Sequence, residues 1–507
     1  MKIITNEQSK KIDQAVIDNY RISELELIRT VGKKLGIECI RILKNYQNPN
    51  ILVFSGTGNN GLDSLVVAEM LKKENFEVSI FLIKKRKDPN FNTLCKNCID
   101  RNIPIISNID ILSRNIPEFI IDGILGTGLK GNVRLDLVKI IKLLNKISSK
   151  IISIDIPSGL DSDSGLIKGE CIKADYTITV DSPKIGMLVR HGKIFSGKII
   201  AVEISYLKKA HELLDGLEWR TFEESDLKKK LKKPRIDINK NQSGRVLVVG
   251  GSTGMSGAII LTTLAVLRSG SGMAICALPA SLNNTFEMNV LEGISIPLQD
   301  DQSGYLKLKH YDIIMEKTEW ADSVVIGPGI GRNIETQSLI KKLVLNIKKP
   351  LIVDADGLSC FEGNAKDLFQ RKFPMVITPH LGELSILLNI SVDKLISQFP
   401  QIMENFMKRF SHTALVKQVP ACTFSETCAF LNTTGNPGLA TAGSGDVLAG
   451  MLGSFISQGF NLSISTRMAA FIHGKSSDLL IDKLGYRGQL ASDLLRLIPS
   501  VISNYEN

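Results

Sequence analysis

Short β-branched runs alternate with helical stretches along this chain, and the series occurs twice. In the first 205 residues the runs fall at 51–54, 78–83, 119–121, 151–154, 176–180 and 199–204. From residue 244 the alternation restarts, with runs at 246–249, 273–277, 323–326, 351–353, 375–377 and 414–417. Strands spaced by helices of about 10–15 residues imply βαβ units, hence a mainly parallel sheet covered by helices on both faces. The helical stretches carry one apolar face, as where Ala258, Leu261, Thr262 and Ala265 recur at i, i+3, i+4 and i+7. Between the two series Lys228, Lys229, Lys230, Lys232, Lys233 and Arg235 crowd into eight residues beside Pro234. The expected organisation is two α/β domains in series, 1–205 and 236–507, joined by a lysine-rich linker at 206–235.

Composition narrows the function classes. A chain of 507 residues suits two or three domains, since one domain takes roughly 100–200 residues. No uninterrupted apolar run nears the roughly 20 residues of a membrane span. Glu7, Asp13 and Asp18 interrupt the first twenty residues, where a secretory signal needs an apolar core. A cytoplasmic protein without a membrane partner is expected. The eight cysteines lack regular spacing; Cys95 and Cys98 form the one close pair, and no second Cys or His pair completes a zinc site. Reduced, mostly buried thiols are the expectation. Net charge is +10, but the lysine run has no aromatic residues interleaved, which speaks against nucleic acid.

Chemistry-bearing residues gather where strands end. In the first half, Ile51-Leu-Val-Phe-Ser-Gly-Thr-Gly-Asn-Asn-Gly-Leu-Asp63 reads as strand, glycine-rich loop and helix. Such loops lie outside the carboxyl ends of α/β strands, where phosphates and dinucleotides bind, although a structural turn has the same composition. Asp122-Gly-Ile-Leu-Gly-Thr-Gly-Leu-Lys-Gly131 and Ile154-Asp155-Ile-Pro-Ser-Gly159 follow two further strands. Three loops rich in Gly and Asp at successive strand ends point to a site.

In order, Gly58-Asn59-Asn60-Gly61-x-Asp63, Asp122 with Gly126-Thr127-Gly128, Ile154-Asp155-Ile-Pro-Ser-Gly159 and Pro183-Lys184 resemble the YjeF N-terminal family of NAD(P)H-hydrate epimerases. The resemblance covers nearly all of 1–205 and implies a Rossmann-like three-layer α/β/α domain. It also implies a potassium ion held by Asn60, Asp122 and Ser158, an oxygen set suited to a hard cation. Asn59, Asn60, Gly61, Leu62, Asp63, the loop Gly126, Thr127, Gly128, Leu129, Lys130, Gly131 and Asn132, and Asp155 would contact the substrate. The implied reaction interconverts the R and S hydrates of NADH and NADPH, with Asp155 and Lys184 as the acid/base pair. A plain ion pair is the other reading of Lys184. Leu62 and Ser64 stand where the family has glycine, and Leu27-Ile28-Arg29-Thr30-Val31-Gly32 replaces its usual Met-Glu-Asn-Ala-Gly.

The second half carries Asn436-Pro-Gly-Leu-Ala-Thr-Ala-Gly443-Ser444-Gly445-Asp446 ahead of a helical run with Val447, Leu448, Met451 and Leu452. Small residues before a helix leave amides free to face an anion, and the helix dipole favours negative charge there. A carboxylate at that mouth repels phosphate unless it has a task, such as taking a proton from an attacking hydroxyl. A turn capped by Asp446 is the alternative. Val248-Val-Gly-Gly-Ser-Thr-Gly254, Ile326-Gly-Pro-Gly-Ile-Gly-Arg332, Asp354-Ala-Asp356-Gly357 and Thr378-Pro-His380-x-Gly-Glu383 end other strands. His380 alone reads equally as a helix cap.

Together these resemble the YjeF C-terminal family, the ADP- or ATP-dependent NAD(P)H-hydrate dehydratases of the ribokinase-like fold, over about 236–500. The implied lyase phosphorylates the C6 hydroxyl of the S-hydrate and eliminates the phosphate. Asp446 would be the base. Ala258, Gly329, His380 and Asp446 would line the hydrate pocket; Lys417, Gln418, Asn436, Gly443, Ser444 and Gly445 would meet ADP, or ATP, with Mg2+. Lys417-Gln418 replaces the family's Lys-Gly, and Asn239 its usual His. The expected partners are NADHX, NADPHX, the nucleotide and a second copy of the chain. The competing reading is a ribokinase-like kinase of a small vitamin-precursor alcohol, with a non-catalytic nucleotide-binding first domain.

Overall fold

Ile51 and Val53 point into one apolar layer, Leu52 and Phe54 into another, so this strand is buried on both faces as a helix-covered parallel strand must be. In the computed structural model, which describes residues 1–20, 22–84, 87–109, 112 and 116–507, it becomes β1 (Asn50–Ser55). It is followed by β2 (Glu77–Leu82), β3 (Ile105–Ile106), β4 (Phe119–Gly123), β5 (Lys150–Ile154), β6 (Tyr176–Val180) and β7 (Lys198–Val202). All pair in parallel, in the order β3-β2-β1-β4-β5-β6-β7. Helices Asn6–Tyr20, Glu24–Leu43 and Asn59–Lys73 pack Val16, Leu35 and Val67 on one face. Helix Leu135–Leu144 packs Leu137, Ile141 and Leu144 on the other. This is the α/β/α sandwich expected.

The second sheet has ten strands. The six runs read from sequence become β9 (Arg245–Val249), β10 (Met273–Pro279), β12 (Ser323–Ile326), β13 (Leu351–Val353), β14 (Met375–Ile377) and β15 (Thr413–Val416). Four strands went unread: β8 (Glu218–Phe222), β11 (Ile294–Leu298), β16 (Cys422–Phe424) and β17 (Cys428–Asn432). The order is β11-β10-β9-β12-β13-β14-β15-β16-β17-β8, with β15, β16 and β17 antiparallel. Helices Ser256–Arg268, Ser444–Ser457, Leu462–Leu484 and Ala491–Ser503 bury their apolar faces in one core.

The 206–235 segment is not a bare linker. Lys2–Gly216 (with Ser397–Pro400) forms one compact unit; Met1, Leu217–Ile396 and Gln401–Asn507 form the other. Helix Ser205–Ala210 and the short turn His211–Leu213 close the first unit, and β8 opens the second by pairing in parallel with β17. The reason is period-2 alternation: Trp219 and Thr221 turn inward, while Glu218 and Arg220 face water and pair with each other.

Both sheets reverse direction at one place. In the first, the chain moves outward from β1 and returns to β1's other side at β4; in the second, β9 and β12 play those parts. Crevices at such switch points bind ligands in open α/β sheets. At each, two loops touch backbone to backbone: a Cβ on Gly56 would stand 1.8 Å from Ile124 O, and one on Gly250 2.3 Å from Pro328 O. Only glycine fits either position. Among the described residues no helix is long and apolar enough to cross a membrane.

Two candidate active sites

At the first switch point lies a cleft of about 580 Å³. Thr57 to Asn60 enter it after β1, Leu125 to Lys130 after β4, Asp155 after β5, and Val180, Asp181 and Lys184 after β6. Leu27, Ile28 and Val31 supply an apolar wall. Asp155 and Asp181 both leave their strands in the left-handed region, at φ 63° and 60°. Side chains avoid that region unless the surroundings hold them there, and such residues cluster at functional sites. Here the holding groups are visible. Asp155 Oδ1 accepts from Thr179 Oγ1 at 3.1 Å, from Val180 N at 3.1 Å and from Lys184 Nζ. Lys184 Nζ also donates to Thr179 Oγ1 at 3.1 Å and Val180 O at 3.3 Å. Lys184 is only 1% exposed, so its charge depends on this partner. Asp181 pairs with the buried His211 and takes a 3.0 Å hydrogen bond from Ser182. Burial works against the Asp181 charge, but His211, Ser182 and Lys184 together outweigh it and hold the carboxyl below its usual range.

Deeper, Asp122 at the end of β4 is fully buried. It accepts from Ser153 Oγ (2.8 Å), Ser158 N (2.9 Å), Ser158 Oγ (2.5 Å) and Ile124 N (3.2 Å). Burial nonetheless pushes its pKa upward. Beside it, Asn60 donates to Leu125 O at 3.0 Å, and its own Oδ1 is buried without a partner among the described residues. An orphaned amide oxygen near a carboxylate, a hydroxyl and a carbonyl fits a hard cation that prefers oxygen.

The second site forms where helix Ser444–Ser457 begins. Gly443 caps it at φ 87°, and the amides of the first turn have no side-chain cap. Lys417 Nζ lies 3.4 Å from where a Gly445 Cβ would be. It donates at 2.6 Å to Asp354 Oδ1, which also takes Thr378 Oγ1 at 2.6 Å. Burial opposes the Lys417 charge, but Asp354, Glu383 and Asp446 more than offset this and raise its pKa. Asp354 Oδ2 is buried without a hydrogen-bond partner among the described residues. Burial first, then the Asp354 charge, pushes the Asp446 carboxyl up to about 7 against the pull of Lys417. That suits a base working near neutrality. Behind the loop His473, which the sequence reading passed over, is driven down to about 4 by burial and stays neutral.

The predicted dehydratase residues converge on this helix start. A Cβ on Gly329 would meet Ala258 Cβ at 2.9 Å. Thr262 Oγ1 hydrogen-bonds both Ala258 O (2.9 Å) and Asp446 O (3.1 Å), so 258, 329 and 446 are neighbours. His380 bridges Lys417 along the backbone, caps helix Leu381–Leu388 through Glu383 N, and still leaves 57% of its side chain exposed. Cap and ligand contact are therefore compatible. Asn436 is different. Its side chain accepts from Gly438 N and donates to Ser477 and Asp478, bracing the loop from within. Gln418 donates to Cys422 Sγ at 3.3 Å.

In the first cleft Asn59, Asn60, Asp63, Gly126 to Lys130, Asn132 and Asp155 line the cavity, whereas Gly61, Leu62 and Gly131 do not. Leu62 is 1% exposed in the helix core, because its helical phase points it at the sheet; it does not intrude on a ligand. Ser64 is buried and donates to Gly61 O at 2.7 Å. Asp13 and Asp181, unread from sequence, border the cleft.

A family model described as YjeF-related protein N-terminus matches residues 25–186, and one described as NAD(P)H-hydrate dehydratase matches 246–500. The bifunctional NAD(P)H-hydrate repair enzyme of Moorella thermoacetica is 30% identical over 100% of this chain and 97% of its own. That of Dictyoglomus turgidum is 31% identical over 99% and 98%. The crystal structure of a Bacillus subtilis ADP/ATP-dependent NAD(P)H-hydrate dehydratase superposes on 57% of this chain and 99% of its own, with 23% identity and a TM-score of 0.49. With both halves matched in order and the relatives aligned end to end, the chain belongs to the bifunctional NAD(P)H-hydrate repair enzyme family.

Proposed function

We infer that the chain restores hydrated NADH and NADPH, using the first cleft to interconvert the R and S hydrates and the second to dehydrate the S form. The observation that carries this is Asp446: a half-buried carboxyl poised near neutrality beside uncapped amides and a paired lysine. In the second site Asp446 takes the proton of the C6 hydroxyl as its oxygen attacks the terminal phosphoryl of the nucleotide. With ADP as donor, AMP leaves. The amides of Gly443, Ser444 and Gly445 and the Lys417 ammonium face the charge that moves to the phosphate oxygens, and each such donor is worth about 3–4 kcal/mol of barrier. Expulsion of phosphate from C6 with loss of the C5 proton then regenerates the dihydronicotinamide. Mg2+ enters as the nucleotide's counter-ion, consistent with the lack of any cluster of three metal-binding acids, cysteines or histidines among the described residues.

In the first site Asp155 and Lys184 act on the C6 hydroxyl. Asn60, Asp122 and Ser158 would hold a potassium ion, supplying a fixed positive charge near the substrate phosphates. The pairing of activities has a chemical reason: hydration yields both epimers, and the dehydratase consumes one. The decisive assay gives the intact chain mixed hydrates with ADP or ATP. Full return of the dihydronicotinamide absorbance is expected; accumulation of a phosphorylated alcohol would mean a kinase instead.

A further inference from the structure

The carboxylates around the first cleft differ in how they are held. Asp122 accepts four hydrogen bonds, Asp155 three, and Asp181 is held by His211 and Ser182. Asp63 borders the cavity, is 9% exposed, and its Oδ1 is buried without a hydrogen-bond partner among the described residues. A buried polar group left unsatisfied costs about 1–3 kcal/mol, which folding alone gives no reason to retain.

Three titratable groups face it from three elements: Asp13 on helix Asn6–Tyr20, Asp155 after β5 and Lys184 after β6. Burial first, then the Asp155 and Asp13 charges, lift its pKa well above the carboxylate range, against Lys184. Burial thus favours the neutral, proton-bearing form of Asp63 at the border of the cavity. Asp155, tied to an ammonium, presents an oxygen that can take a proton.

We propose that Asp63 is the catalytic acid of the epimerisation, donating its proton to the departing C6 hydroxyl while the Asp155–Lys184 pair serves the opposite face of the ring. This rests on the epimerase reading of the first cleft. The C6–O bond breaks with its electron pair going to oxygen, the Asp63 proton converts that oxygen to water, and the N1 lone pair forms the N1=C6 iminium. Water then adds to the other face of C6, the π pair returns to N1, and Asp155 takes the proton that water loses. The reverse epimerisation runs with the two carboxyls in exchanged roles.

The test uses the full chain with the R hydrate as sole substrate in water labelled with oxygen-18, across a range of pH. The wild-type rate should fall at high pH as Asp63 loses its proton, and each turnover should place one labelled oxygen at C6. Asp63→Asn should lose about 100-fold or more in kcat, on the scale of general acid catalysis, with KM within about threefold. It should also lose the high-pH fall, and Asp63→Glu should recover part of both. A wild-type rate flat at high pH, retention of the original oxygen, or an Asp63→Asn chain with kcat kept and KM raised would overturn the proposal. Wild type with no epimerisation above the spontaneous rate would instead remove the epimerase reading itself.

Discussion

The two sites sit at strand ends of two α/β sheets, yet they manage charge differently. In the first, Lys184 is sealed from water and answered by Asp155, so acid and base are held inside the protein before any ligand arrives. In the second, Lys417 is answered by Asp354 while the helix start carries no side-chain cap. The first site works through proton transfers, and it carries its own acid and base. The second transfers a phosphoryl group that the nucleotide brings, so it needs an empty positive mouth and one base. What each cofactor supplies decides what the protein leaves unpaired.

Removing the base breaks the comparison most cleanly. Asp446→Asn should lower nucleotide-dependent dehydration by about 10²- to 10⁴-fold, the usual contribution of a positioned base, and leave epimerisation untouched. Dihydronicotinamide absorbance follows the first, and separation of the R and S hydrates the second. Loss of both would mean the sites are not independent. Removing Asp155 tests the opposite design. Asp155→Ala leaves a buried ammonium without its counter-charge, a change that costs about 3–5 kcal/mol. The first unit should melt earlier and lose epimerase activity while dehydratase activity persists. An unchanged melting profile would mean the Asp155–Lys184 pair adds nothing to the stability of the first unit.

Much of this was legible in the residues, and the misses share a physical cause. Each β-branched run read as a strand became one, because a strand buried on both faces has few other ways to be written. Strand β8 was hidden because Glu218 and Arg220 blend into the surrounding charges; the inward Trp219 and Thr221 were the available signal. Glycine-rich strand ends marked both crevices, since backbone contact there tolerates no side chain. Sequence could not show that Leu62 turns from the cleft, because one residue of helical phase separates lining from core. Nor could it show Asp181 with His211, or His473 behind the anion loop, since those pairings join elements distant in sequence.

A smaller effect is expected where the second site is left open by backbone shape. Gly443 sits at φ 87°, and an added Cβ would stand 2.6 Å from Leu261 Cδ1. The left-handed conformation costs a side-chain-bearing residue about 1–2 kcal/mol. Gly443→Ala should therefore lower kcat/KM for the nucleotide roughly tenfold, the rate equivalent of about 1.4 kcal/mol. Epimerisation should not move. A nucleotide response equal to wild type would mean the loop amides do not hold phosphate.

The smallest effect separates two causes of one pKa. Burial alone and the neighbouring Asp354 charge both push the Asp446 carboxyl toward about 7, and Lys417 pulls it down. As a base Asp446 works ionised, so dehydration should rise with pH through that value and level off above it. Asp354→Asn removes a negative neighbour and frees Lys417 from its partner, and both changes favour the Asp446 carboxylate. The acid limb of kcat/KM should therefore move to lower pH by about one unit, equivalent to about 1.4 kcal/mol between the two charge states. A limb that stays near 7 would assign the shift to burial alone. A limb that moves upward would mean Asp354 had been holding Lys417 where it stabilises the Asp446 charge, so that the lysine, rather than the acid pair, sets the pH at which the second site opens.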